Sequence, residues 1–283
     1  MIPIAQLKKD MEFYRSLGAL VEVLKLLAAA QYQSLEKKLK TYGAYFEAIA
    51  EVFRWLDVQK VQHPFVGQMT KSTAVIAITT DAGLLGGLNA QVMDAAMRQL
   101  NEKDDRLIIV GKRGQFYVER HKMVFANFPG ISDERRLEQA LKLRDYIVNS
   151  VLKGRIGQVK IVFPHALSFA MQRIETVQIL PFVPDQIQRP TNLEFSDLIL
   201  ESRFEDIVEY LIYLWSGQKI FEIFGLSRLA EQAARFMHLE NCTRRIKELD
   251  GKLKFQYFHT RHELIDQNMR ELFAARILNE QSQ

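Results

Sequence analysis

Residues 79–89 read TTDAGLLGGLN, an aspartate and three closely spaced glycines directly after the apolar run 74–78. A glycine cluster that follows a strand and opens a helix is a place where backbone N–H groups cradle a phosphate. The spacing does not support that chemistry here. A dinucleotide fingerprint requires G-x-G-x-x-G, whereas this chain has Gly83-x-x-Gly86-Gly87, and no Lys-Ser/Thr pair follows as in a Walker-type loop. The second apolar run, 106–110, passes straight into Gly111-Lys112-Arg113-Gly114, with no acidic residue at its end to hold a ribose. The favoured reading is a tight strand-to-helix turn in which Asp81 and Asn89 satisfy local backbone and Gly83, Gly86 and Gly87 permit close packing. A nucleotide cradle is the alternative.

The other reactive side chains form no recognisable constellation. Histidines stand at 63, 121, 165, 238, 259 and 262, and only His259 and His262 are close enough to share a helix face. Without an H-E-x-x-H pattern, solvated histidines on a helix are favoured over a metal pair. No Ser-His-Asp or Cys-His set and no paired carboxylates stand out, so no catalytic residue, cofactor or metal site is expected. Tyr210, Tyr213, Trp215, Phe221 and Phe224 recur at helical spacing and are expected to pack rather than to stack on bases.

The elements around these residues are unusual. From residue 4 to 56 there is no proline, and Leu17, Val21, Leu24 and Ala28, then Leu35, Leu39, Tyr42, Phe46, Ile49, Phe53 and Leu56, repeat at three-four spacing. The phase slips by one residue near 31–34, which would loosen the supercoil there. A helix of about 50 residues is roughly 75 Å long at 1.5 Å per residue, so it needs a partner helix. Residues 204–278 are likewise free of proline, with interspersed charges as on a solvated helix and with Gly217, Gly225 and Gly251 as weak points. A kink or break is expected near 216–225.

Between these rods, β-rich runs at 74–79, 106–110, 122–126, 159–163 and 175–181 alternate with helical stretches at 90–101 and 134–152. This alternation predicts an α/β domain with a largely parallel sheet, left through the proline-rich segment 181–192. The expected fold class is therefore α/β: a long antiparallel two-helix coiled coil of N- and C-terminal helices (1–60 and 200–283) with an inserted Rossmann-like domain (72–190). The ends of a compact insert lie close together, so the rods should run side by side as a shaft with a head.

Composition excludes several classes. Of 283 residues, 48% are hydrophobic, as in a globular protein with a core. The net charge of +4 comes from 38 basic and 34 acidic residues spread along the chain, too diffuse for a nucleic-acid face. The single cysteine, Cys242, permits no intramolecular disulfide and suits a reducing cytosol. The N-terminus MIPIAQLKKDMEF lacks signal or transit character, and no window of about 18 apolar residues occurs, so direct membrane insertion is not expected.

Three stretches together resemble the gamma subunit family of the F-type ATP synthases. ITTDAGLLGGLNAQV is similar to the family's I-T-S-D-x-G-L-C-G-G-L-N, with Thr80 for serine and Leu85 for cysteine. AEQAARFMHLENCTRRIKEL at 230–249 is similar to S-E-x-A-A-R-M-x-A-M-x-x-A-T-x-N. YFHTRHELIDQNMREL resembles Y-N-x-x-R-Q-x-x-I-T-x-E-L and keeps Tyr257, Arg261 and Ile265. The resemblance spans nearly the whole chain. It departs at the N-terminal rod, where LGALVEVLKLLAAAQYQ replaces T-x-K-I-T-x-A-M-x-M-V-A-A-x-K and only Lys25 supplies positive charge. The following QYQSLEKKLKTY run is closer to the alternative, sodium-type branch. His262 stands for glutamine and Asp266 for threonine, positions that contact catch loops of the hexamer in the family.

What the resemblance implies is a rotor shaft that transmits torque between a membrane ion-driven c-ring and a hexamer of alpha and beta subunits, coupling proton or sodium flow to ATP synthesis or hydrolysis. The implied partners include an epsilon subunit, and the implied location is peripheral, at the cytoplasmic face of the cell membrane. The catalytic residues would lie on the partner subunits. By the same resemblance Lys25, Arg235, Arg261 and His262 would contact the hexamer, and Glu201, matching the glutamate of the family's Y-E-P segment, the ring. Ordinary solvated charge is the alternative at each position.

Two rival readings differ in what they would bind. A coiled-coil adaptor outside the ATPase would not co-purify with alpha and beta subunits. A Rossmann-like nucleotide-binding protein with coiled-coil arms would take up nucleotide by itself. Titration calorimetry of the isolated chain with ATP and with a dinucleotide is expected to give no saturable heat; stoichiometric binding would restore the nucleotide reading of residues 79–89.

Overall fold

A computed structural model of the chain describes residues 3–55, 63–67, 70, 72–100, 104–119, 125–182 and 202–280. In chain order the elements are α1 (Ile4–Trp55), β1 (Thr73–Ile78), α2 (Leu88–Met97), β2 (Arg106–Val110), α3 (Lys112–Glu119), β3 (Phe125–Phe128), α4 (Arg136–Leu152), β4 (Gln158–Ala166), β5 (Gln172–Leu180) and α5 (Phe204–Glu280). The expected linker at 183–192, the ends of the expected rods at 56–60 and 281–283, and residues 122–124 of the expected third strand lie outside the described residues.

The strands form one sheet in the order β3-β2-β1-β4-β5. β1 pairs in parallel with β2 and β4, β2 in parallel with β3, and only the β4–β5 hairpin is antiparallel. All six residues of β1, TAVIAI, are buried, as a central parallel strand covered on both faces must be. Alternation sorts them. Val75 and Ala77 join Leu107, Ile109 and Val162 against Val92, Met93 and Ala96 of α2 and Val118 of α3. Ala74, Ile76 and Ile78 face the other way, with Ile108, Ile161 and Phe163, onto Ala140, Leu143 and Ile147 of α4. Helix α3, which a reading confined to the GKRG sequence does not suggest, is the crossover that carries β2 to β3.

The second face is completed by α5. Val208, Ile212, Ile220, Ile223 and Phe224 belong to the same buried cluster as β1 and α4. Each aliphatic side chain fully buried there is worth about 1.5–3 kcal/mol. The residues expected to serve only as coiled coil therefore also form a wall of the sheet domain. α4 adds polar contacts along this wall: Arg144 stacks 3.7 Å from the Tyr213 ring and donates to its hydroxyl at 2.6 Å.

Two compact units result, Ala28–Arg235 and a second formed by Met1–Leu27 with Phe236–Gln283. In the second, Lys25 lies 2.9 Å from Glu240, and a side chain at Gly18 would meet Ile246 at 3.5 Å, so α1 and α5 run antiparallel. In the first, Leu39 lies against Gly225. Among the residues of α1 whose burial is described, 4–40, the buried ones, Leu7, Val21, Ala28 and Leu35, fall in one heptad column with half-buried Tyr14 between the first two.

Tyr32 packs edge-on against Phe169 at 4.7 Å. One expectation needs correction: helix α5 is unbroken at 216–225. Its glycines serve close approach instead: a Cβ at Gly217 would come within 3.0 Å of Arg144, and one at Gly225 within 2.4 Å of Leu39. Tertiary contact on both sides of α5 outweighs the roughly 1 kcal/mol by which each glycine weakens a helix.

Gly251 and Gly111 separate the two uses of glycine. At Gly251 an added Cβ meets nothing within 4 Å, whereas Gly111 has φ +99° and its Cβ would lie 2.6 Å from the Thr79 carbonyl. Gly251→Ala is expected to stabilise by about 1 kcal/mol, and Gly111→Ala to destabilise by about 2 kcal/mol or more. Denaturant midpoints for the two variants should move in opposite directions.

Candidate functional site

The glycine turn is built to close on itself. The Thr80 N–H donates to Asn89 Oδ1 at 3.2 Å, and Asn89 Nδ2 donates back to Thr80 Oγ1 at 3.0 Å. The Thr80 hydroxyl donates to the Ala82 carbonyl at 2.8 Å. Asp81 Oδ1 accepts the Lys112 N–H at 2.8 Å, tying the end of β1 to the start of α3. One residue earlier, the Thr79 hydroxyl donates to the Val110 carbonyl at 2.7 Å and accepts the Gly114 N–H at 3.0 Å.

The glycines divide between two uses. Gly86 and Gly87 have φ of 59° and 96°, and a Cβ on Gly87 would meet nothing within 4 Å, so left-handed backbone rather than crowding calls for glycine there. Gly83 is the one at a close approach, 3.1 Å from the Arg113 guanidinium. Leu84 also carries φ 65° and is half exposed. The result is to aim Leu85 and Leu88 at Ala234 of α5, where they form a small buried cluster. The leucine that stands for the family's cysteine is thus an apolar contact with α5.

In a doubly wound sheet the ligand crevice opens beyond the carboxyl ends of the strands where the strand order reverses, here between β1 and β4. That crevice is occupied by the protein itself. A cavity of about 80 Å³ remains, lined by the end of β1, Gly130, Pro164 and, from α5, Ser227, Arg228 and Glu231. Arg228 forks onto Asp133, with Nε to Oδ1 and Nη2 to Oδ2 both at 3.0 Å. Its third nitrogen, Nη1, reaches Glu231. Glu231, with a side chain only 4% exposed, also accepts from Arg235 Nη2 at 2.6 Å, while Arg235 Nη1 donates to Gln232 at 2.7 Å.

The electrostatics agree with this geometry. Burial pushes the Asp133 carboxyl up, but the hydrogen bonds and charge of Arg228 outweigh it and hold the group below the ordinary carboxylate range, aided by Arg136 and Lys38. Burial acts to lower the Arg228 value and is overcome by Asp133 and Glu231, which raise it. A carboxylate with a depressed folded-state value contributes stability above its unfolded value, and that contribution is lost as pH falls through the folded one.

The charged positions singled out by resemblance fall into different settings. Lys25 is bonded to Glu22 at 2.8 Å and Glu240 at 2.9 Å, and these two hydrogen bonds raise its pKa. Arg235 is held by Glu231 as above. Arg261 and His262 sit on the fully exposed stretch 261–274 of α5, among exposed Leu264, Ile265, Met269, Leu272 and Phe273. His259 pairs with Glu263 at 3.4 Å. Glu201 lies outside the described residues. The cluster of Asp133, Arg228 and Glu231 escaped the sequence reading: Glu231 and Arg235 lie in a quoted motif, but nothing local points to Asp133, 95 residues before Arg228.

Comparison with known proteins bears on the whole chain. The family model described as ATP synthase matches residues 4–276. The ATP synthase gamma chain of Clostridium acetobutylicum is 27% identical over 274 residues, covering 95% of each chain, and that of Clostridium pasteurianum is 24% identical over 279 residues, covering 95% of this chain and 96% of its own. Among solved structures, a chain of the Euglena gracilis mitochondrial ATP synthase (OSCP/F1/c-ring, rotational state 3) matches the fold with a TM-score of 0.71 at 19% identity, over 96% of this chain and 93% of its own. A chain of the Tetrahymena thermophila mitochondrial ATP synthase central stalk and c-ring matches with a TM-score of 0.61 at 19% identity, over 79% of this chain and 99% of its own. With its glycine turn, its mixed sheet and its long terminal helices all falling inside the matched span, the chain belongs to the ATP synthase family, as one of its gamma chains.

Proposed function

We propose that this chain is the central-stalk rotor of an F-type ATP synthase, turning with a membrane c-ring inside a hexamer of alpha and beta subunits. The observation that carries the reading is the family match over residues 4–276, which takes in both long helices and the sheet domain between them. Torque from the ring passes along α5 and drives the catalytic sites of the hexamer through their open and closed states, so that proton or sodium flow is coupled to ATP synthesis or hydrolysis. An epsilon subunit completes the stalk. In this reading the catalytic residues lie on the partner subunits, and the crevice where a doubly wound domain would hold a ligand is narrowed by Ser227, Arg228 and Glu231 of α5 to a cavity of about 80 Å³. No helix among the described residues is long and apolar enough to cross a membrane. In the rotor reading, attachment is through the ring, at the cytoplasmic face of the cell membrane, with Glu201 as a contact.

The hexamer contacts divide by environment. Arg261 and His262, exposed on α5, are the handles for polar loops of the hexamer, and the exposed apolar residues around them bear on its sleeve. Lys25 and Arg235, already bonded within the chain, contribute to the hexamer interface by keeping α1 and α5 in shape.

Co-expression with the alpha, beta and epsilon subunits of the same organism should yield a complex in which this chain is retained and ATP hydrolysis is observed. A chain recovered without alpha and beta would overturn the rotor reading in favour of an adaptor. Within the complex, Arg261→Glu should leave assembly intact and lower ion-driven ATP synthesis several-fold; unchanged synthesis would remove Arg261 from the interface.

A further inference from the structure

The rotor reading leaves open which contacts keep α5 from slipping against the sheet domain under load, and the crevice at the end of β1 supplies an answer. The apolar contacts between α5 and the sheet are extensive, but the hydrophobic attraction behind them is non-directional. A bidentate guanidinium–carboxylate pair fixes both distance and orientation. Arg228 makes such a pair with Asp133, its side chain 19% exposed, and is steadied from behind by the buried Glu231, which Arg235 holds in turn.

The other end of the pair is equally fixed. Asp133 stands three residues before α4, in a loop braced by Gln139, whose Oε1 accepts the Ser132 N–H at 2.8 Å and whose Nε2 donates to the Gly130 carbonyl at 2.9 Å. α4 is locked into the sheet by Ala140, Leu143 and Ile147. Gly130 itself leaves room for the Asp81 carboxylate, since a Cβ there would lie 2.4 Å from its carbon. An unbroken path of rigid contacts thus runs from the sheet through α4 and Asp133 to Arg228 on α5.

We propose that Arg228, forked onto Asp133 and braced by Glu231, is the positioning residue that fastens α5 to the α/β domain against torsional load. The proposal rests on the rotor reading. The clamp takes no part in ATP chemistry; it decides how much rotation applied to the domain reaches the helix.

The test uses the whole ATP synthase complex carrying Arg228→Met, Asp133→Asn, both together, or Arg228→Lys, which keeps the charge and loses the fork. Three quantities are read: ATP hydrolysis, ions pumped per ATP, and torsional stiffness from the thermal twist of a bead on the α/β domain with the hexamer fixed. Each single variant is expected to assemble and hydrolyse ATP as the unaltered complex does, while pumping per ATP falls about threefold to tenfold, the range spanned by moderate coupling between contacting residues. Stiffness should fall with it, and the double variant should be no worse than Arg228→Met, because both remove one interaction. Unchanged stiffness and pumping in Arg228→Met overturn the clamp, as does loss of assembly and hydrolysis in step with pumping, which would mark a folding role only. Failure of the unaltered chain to assemble with alpha and beta subunits overturns the rotor reading instead.

Discussion

The packing of one stretch of α5 into the face of the sheet is the constraint on which the rest of the α/β unit depends. Val208, Ile212, Ile220, Ile223 and Phe224 lie in the same apolar cluster as Ile76, Ile108 and Ile161, with α4 beside them. A parallel sheet must be covered on both faces. α2 and α3 cover one, but α4 alone leaves part of the other open. The long C-terminal helix is therefore a structural member of the domain as well as a partner of α1, and its glycines at 217 and 225 follow from that double duty. On one side Arg144 comes in from α4, and on the other Leu39 comes in from α1.

The same double duty explains the fate of the glycine turn and the switch-point crevice. Both are places where this fold type binds a ligand. Here Thr80 and Asn89 are bonded to each other, Asp81 accepts the Lys112 N–H, Leu85 and Leu88 press on Ala234, and Ser227, Arg228 and Glu231 line the crevice. The architecture here holds a helix. That suits a member of the ATP synthase family whose task is mechanical, because a narrow crevice bridged by bonded side chains is stiffer than one that must open for a ligand.

In the unit formed by the two chain ends, charge has a different distribution. Lys25, the only basic residue of the stretch 16–36 of α1, is turned inward between Glu22 and Glu240. Around it Leu20, Val23, Leu26 and Leu27 are exposed, and farther along α5 so are Phe255, Phe258, Leu272 and Phe273. Exposed apolar residues on this scale signify contact with other chains.

Local pattern was enough to read the order of elements: proline-free heptads at both ends and β-rich runs alternating with helices between them, because periods of 3.5 and 2 are written into neighbouring residues. It also disfavoured a phosphate cradle at 79–89, since the spacing of three glycines fits neither phosphate-binding template. Pattern could not place the helical stretch 208–224 in the sheet core, nor keep α5 continuous through Gly217 and Gly225, because both outcomes depend on what approaches from elsewhere in the chain. The pairing of Asp133 with Arg228 and of Lys25 with Glu240 spans 95 and 215 residues, and no local signal encodes such distances. The sequence by itself determined the two long helices, the alternation between them and the family, but not α3; the tertiary structure alone decided which charges are tied inside the chain and which remain for partners, since an ion pair exists only where folding brings its two ends together.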